Sequence, residues 1–151
     1  EDIVLTEKVI YCLTAPYLEN GKWQASKLYE YNIDSETTKN INLGNITLAR
    51  SLTYSKAKGL YVNVLPTFSY KWFEEYNNGL WVNEYGGIYH YVDGELKMIF
   101  ENNEGVFYST FTQNGKLYAT NTYGEVYVID DKGSKVLIDG LFNVKKYMFF
   151  I

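Results

Sequence analysis

Asn83-Glu84-Tyr85-Gly86-Gly87-Ile88-Tyr89-His90-Tyr91-Val92-Asp93 returns 38 residues later as Asn121-Thr122-Tyr123-Gly124-Glu125-Val126-Tyr127-Val128-Ile129-Asp130-Asp131. Asn, Tyr, Gly, Tyr and Asp keep identical offsets, and Ile88 is matched by Val126. Leu28-Tyr29-Glu30-Tyr31-Asn32-Ile33-Asp34 repeats the second half. Aromatic and β-branched residues at every second position suit a pleated surface, and glycine supplies the break between strands. The alternation predicts that Tyr29/Tyr31, Tyr89/Tyr91 and Tyr127/Ile129 form the packed face, leaving Glu30, His90 and Val128 free to vary. Tyr29, Tyr89 and Tyr127 are expected at equivalent places in three successive sheets. A period near 40 residues made of short strands implies stacked or radially arranged sheets.

The rest of the composition agrees with an all-β chain. At 151 residues and 46% hydrophobic content, residues 1–151 suffice for one domain with a core. Aromatics reach 18%, led by sixteen tyrosines, there are only two prolines, and no apolar pattern at helical spacing persists for three turns. The net charge of −4 is spread along the chain, and its basic clusters, such as Lys145-Lys146, are short. Nucleic-acid binding would need a basic stripe, and a membrane span a long apolar run; the sequence contains neither. The chain begins without Met or a signal-like segment, so it is expected to be processed or excised from a longer protein.

Several segments extend the strand reading. Lys8 to Leu13 reads as an apolar strand, Glu19-Asn20-Gly21-Lys22 as a turn, Trp23 through Ile33 as a strand, and Lys39 to Leu43 as a short outer strand. Ser51–Tyr54 with Gly59–Asn63, and Ser109–Thr112 with Gly115–Tyr118, read as hairpins turning at Lys56–Gly59 and Gln113–Lys116. Leu96–Phe100 and Lys135–Ile138 read as edge strands. Leu65 to Asn78 falls outside the repeat register.

The order of strand, loop, Tyr-x-Tyr strand, tight turn and outer strand resembles a blade of a kelch-like β-propeller. Leu28-Tyr29-Glu30-Tyr31 with Asp34 to Thr37, followed by Leu48-Ala49-Arg50-Ser51, carries the resemblance; Leu13-Thr14-Ala15 stands where kelch blades have a glycine doublet. The resemblance implies a propeller-like domain of three to four blades. Its first blade would be closed by Asn143–Ile151 as first strand, or the ring would be part of a larger propeller, or completed by another chain.

Candidate sites are few. His90 is the only histidine, which precludes a multi-histidine metal site, and Cys12 the only cysteine, which precludes an internal disulfide. Cys12, within Val9-Ile10-Tyr11-Cys12-Leu13, is expected to be a small buried residue. Glu74 and Glu75 are adjacent on an expected strand and point to opposite faces. Asp93, Asp130 and Asp131 sit where turns need them. No calcium loop, phosphate loop or other cofactor motif is present, so no cofactor is expected. Asn45-Ile46-Thr47 is a glycosylation acceptor if the protein is exported, which inclines the expectation towards the cell exterior. The aromatic segment with Tyr70, Trp72, Phe73, Tyr76 and Trp81 is the expected binding surface, because such rings give large contact area at small entropic cost.

These features lead to the expectation of a non-enzymatic propeller-like module that binds a protein or a glycan. The alternatives are an assembly protein of a virion or cell surface, and a carbohydrate-active enzyme using Glu74, Glu75, Asp93 or Glu104.

Overall fold

Turn chemistry sets the strand ends. Asn20-Gly21, Asp93-Gly94 and Asn114-Gly115 each place two successive residues at positive φ, as a two-residue hairpin loop of the twisted type requires. The computed structural model describes residues 2–64, 86–101, 107–121, 124–130 and 133–138, and among these there is no helix. None of the described elements is therefore a helix long and apolar enough to cross a membrane.

The chain runs through β1 (Asp2–Leu5) and β2 (Val9–Leu13), then a small hairpin of β3 (Tyr17–Glu19) and β4 (Lys22–Gln24), then β5 (Leu28–Asn32) and β6 (Thr37–Ile41). Strands β1-β2-β5-β6 form the first four-stranded antiparallel sheet. The second sheet is β7 (Ala49–Ser55), β8 (Gly59–Val64), β9 (Gly87–Val92) and β10 (Glu95–Glu101), each paired with the next. The third repeats this order with β11 (Phe107–Gln113), β12 (Lys116–Asn121), β13 (Val126–Asp130) and β14 (Gly133–Ile138).

The structure modifies three sequence expectations. Tyr29, Tyr89 and Tyr127 do lie on the third strand of each sheet, opposite Cys12, Val62 and Ala119, but their spacing is 60 and then 38 residues. The period is uneven because the connection between second and third strands varies: in the first sheet it holds the β3–β4 hairpin, and in the second it is residues 65–86. Val64 pairs with Gly87, so that long segment is an insertion that returns to the strand beside its departure point. The expected strand Trp23–Ile33 is divided between β4 and β5, since Gln24 and Leu28 pair with different partners. The first-strand place assigned to Asn143–Ile151, which lie outside the described residues, is taken by Asp2–Leu5.

Both faces of the second sheet are packed, which corrects the one-face reading. Leu52, Leu60, Val62 and Val64, with Tyr54, Tyr89 and Tyr91 at the margin, meet Leu13, Leu28 and Ile41 of the first sheet. On the opposite face, Tyr61 and Ile88 meet Leu117, Ala119 and Ile129 of the third. A sheet between two others buries alternate residues on both sides, and β8 accordingly is buried from Leu60 to Val64. Leu28 and Ile88, just before the tyrosines, are completely buried, whereas Tyr29, Tyr89 and Tyr127 are half-buried.

The first strands of the sheets lie side by side. The Asp2 carboxylate accepts a hydrogen bond from the Leu52 amide at 2.7 Å. The Thr53 hydroxyl donates to the Thr110 carbonyl at 2.8 Å, and the Thr112 hydroxyl to the Tyr54 carbonyl at 2.7 Å. These side chains satisfy backbone groups that edge strands otherwise leave unpaired.

Candidate functional site

Between the first two sheets, at the end where the β1–β2 and β7–β8 turns lie, opens a cleft of about 680 Å³ lined by Leu5, Thr6, Glu7, Lys8, Val9, Tyr11, Tyr54 and Lys56. Its position follows from local chemistry. The Thr6 hydroxyl accepts from the Val9 amide and donates to the Val9 carbonyl, both at 2.9 Å, which stiffens the β1–β2 turn. Across the cleft the β7–β8 turn answers with Lys56, whose ammonium pairs with Glu7 at 3.1 Å. Both side chains are almost fully exposed, so this pair shapes the rim and adds little stability.

Tyrosines make the floor. Tyr11 and Tyr54 face each other with ring centroids 6.3 Å apart and planes 30° from parallel. Partial burial, followed by the Glu30 carboxylate and the neighbouring Tyr54 and Tyr91, pushes the Tyr11 hydroxyl up to about 12. Glu30 pairs opposite Tyr11 in the first sheet and Lys39 opposite Glu30. Lys39 donates to the Tyr91 hydroxyl at 3.3 Å, which raises the lysine's own pKa. Three phenols from two sheets are thus gathered beside one carboxylate and one ammonium.

A smaller cavity of about 140 Å³ lies between the second and third sheets, lined by Lys58, Tyr61, His90, Ile99, Leu117, Ile129 and Asp130. Nε2 of His90 donates to the Lys58 carbonyl at 2.5 Å while the ring stacks on Tyr61. That places His90 in an architectural role, holding the β7–β8 turn onto β9.

Tyr70, Trp72, Phe73, Tyr76 and Trp81 lie outside the described residues. Glu74, Glu75, Glu104 and Asp131 also lie outside. Asp93 is exposed at the β9–β10 turn with φ 54°, the turn role its sequence context implies. Cys12 is half-buried on the face of the first sheet that turns away from the second. Among the described residues no three His, Cys, Asp or Glu side chains converge as metal ligands.

The cleft escaped the sequence reading although one signal for it was visible. Tyr11, Tyr61 and Tyr118 hold the same place on the second strands, opposite Glu30, His90 and Val128. Their unequal spacing hides the equivalence until the strands are paired. Comparison with protein-family models finds no match, and comparison with curated proteins finds none either.

Proposed function

We propose that the chain is a non-enzymatic interaction module whose three sheets are blades of a propeller-like, kelch-like ring of three to four blades, and that it binds a protein or glycan partner. The Tyr11/Tyr54 cleft carries this reading. Flat phenol faces beside Val9 offer apolar contact, while Glu7, Lys8 and Lys56 at the rim offer directed polar contact. A pyranose ring or a peptide side chain fits that combination, since either has one apolar face and polar edges. The side-by-side first strands, from which each sheet extends outward, support the blade assignment.

The folded chain should be screened against glycan and peptide libraries, with Tyr54→Ala and Lys56→Ala as cleft variants. The expected result is a hit whose affinity drops at least tenfold in Tyr54→Ala, or about 1.4 kcal/mol. Hits indifferent to both variants would remove the cleft from consideration, and turnover of a bound glycan would replace the module by an enzyme.

A further inference from the structure

We propose that copies of this chain associate head to tail, the first sheet of one copy seating on the third sheet of the next. The contact would be a further instance of the interface that the chain already makes twice within itself. This inference rests on the sheet-to-sheet packing and is independent of ligand binding in the tyrosine cleft.

Strand pairing makes the argument residue by residue. Ile3 lies opposite Cys12, Leu52 opposite Val62 and Thr110 opposite Ala119, so Ile3, Leu52 and Thr110 are equivalent. Leu5, Tyr54 and Thr112 are equivalent by the same rule. Each sheet therefore has a trailing face, carrying these first-strand residues and the paired third-strand positions: Tyr29/Tyr31, Tyr89/Tyr91 and Tyr127/Ile129. In the second sheet that face packs on the first sheet, and in the third sheet it packs on the second.

The trailing face of the first sheet has no such cover among the described residues. Ile3 is 67% and Leu5 70% exposed, and Ile10, Cys12, Tyr29 and Tyr31 extend the same face without joining either core cluster. An apolar strip with Ile3 and Leu5 largely exposed and Ile10, Cys12, Tyr29 and Tyr31 half-exposed marks an interaction surface.

The opposite, leading face tells what the occupant should be. Tyr11 with Val4 in the first sheet, and Tyr61 with Thr53 in the second, seat against the following sheet. Their equivalents in the third sheet are Tyr118 and Phe111, stacked at 5.1 Å and 11°, with Phe111 43% exposed. One chain thus holds both halves of its own repeated interface, at opposite ends of the stack. Such heterologous contacts close into a ring or extend as a filament.

Analytical ultracentrifugation of the 151-residue chain across a wide range of concentration tests this. The native chain should form oligomers, while Ile3→Lys and Phe111→Lys should each weaken self-association at least tenfold. An equimolar mixture of the two variants should form dimers, because each retains the face that the other has lost. Neither residue lines the tyrosine cleft, so partner binding is read separately from association. A monomeric native chain, undiminished association of Phe111→Lys, or a mixture that stays monomeric would each overturn the proposal. As a check that does not depend on how well the lysine variants fold, Leu5→Cys and Tyr118→Cys chains in a Cys12→Ser background should be joined to each other by a bifunctional thiol reagent spanning about 10 Å, the spacing of packed sheets. They take the places of Tyr54 and Tyr11, whose rings are neighbours across the internal interface. Failure to cross-link would equally defeat it.

Discussion

Tyr61 lies across from His90 in adjacent strands, their rings 4.7 Å apart and 20° from parallel, although the same pair of places holds Tyr11 with Glu30 in the first sheet and Tyr118 with Val128 in the third. The tyrosine is constant while its partner is an acid, an imidazole or an aliphatic. In the first two sheets that ring packs against the following sheet, while its cross-strand neighbour varies.

This asymmetry should appear in stability. Tyr61 is 4% exposed, and Tyr61→Ala should cost about 3 to 5 kcal/mol by leaving a cavity against Leu117 and Ile129. His90→Val, which installs the residue of the third sheet, should cost less than about 1.5 kcal/mol. Urea unfolding of both variants checks this, and equal losses would show that the bond to the Lys58 carbonyl outweighs packing.

Stability should fall at high pH through Tyr11. Its folded pKa of about 12 stands above the ordinary 10.0, so the neutral form is favoured by folding. The associated stability is present in full below pH 10 and is lost as pH rises from 10 to 12. Thermal unfolding across that window should show a smaller decline in Tyr11→Phe than in the native chain, and parallel declines would count against the assignment.

Gly87 should resist substitution for a steric reason. A Cβ there would collide with the carbonyl oxygen of Phe100, where the β9–β10 register shifts between Met98 and Phe100. Gly87→Ala should therefore destabilise by about 1 to 3 kcal/mol. By contrast Gly94, at the neighbouring turn, has open space around it, and any cost of its alanine variant comes from its φ of 84° alone. Chemical denaturation of the two variants separates collision from backbone strain.

Leu28 and Lys56 mark the two extremes of contribution. Leu28 is completely buried between the first two sheets, and Leu28→Ala should cost about 2 to 5 kcal/mol. Lys56 forms an ion pair in open solvent, and Lys56→Ala should cost less than about 1 kcal/mol. Melting curves that rank them the other way would contradict the cleft geometry, in which the rim pair only bridges two turns.

Much of the local architecture was already written in the sequence. The alternation around Tyr29, Tyr89 and Tyr127 sufficed for three equivalent strands, and Asn20-Gly21, Asp93-Gly94 and Asn114-Gly115 sufficed for three tight turns, because pleat periodicity and left-handed φ are short-range properties of neighbouring residues. Tertiary structure alone decided which faces are covered. Asp2 finds its backbone partner 50 residues away at Leu52, and Thr53 reaches Thr110 at a separation of 57. Distances of that kind depend on how much chain is inserted between second and third strands, and residues 65–86 alter that length without altering any local pattern. The pairing of Tyr11 with Tyr54, and the open face of Ile3 and Leu5, are products of sheet stacking, a non-local event in which burial on both sides of the middle sheet outweighs the one-sided alternation visible in each strand.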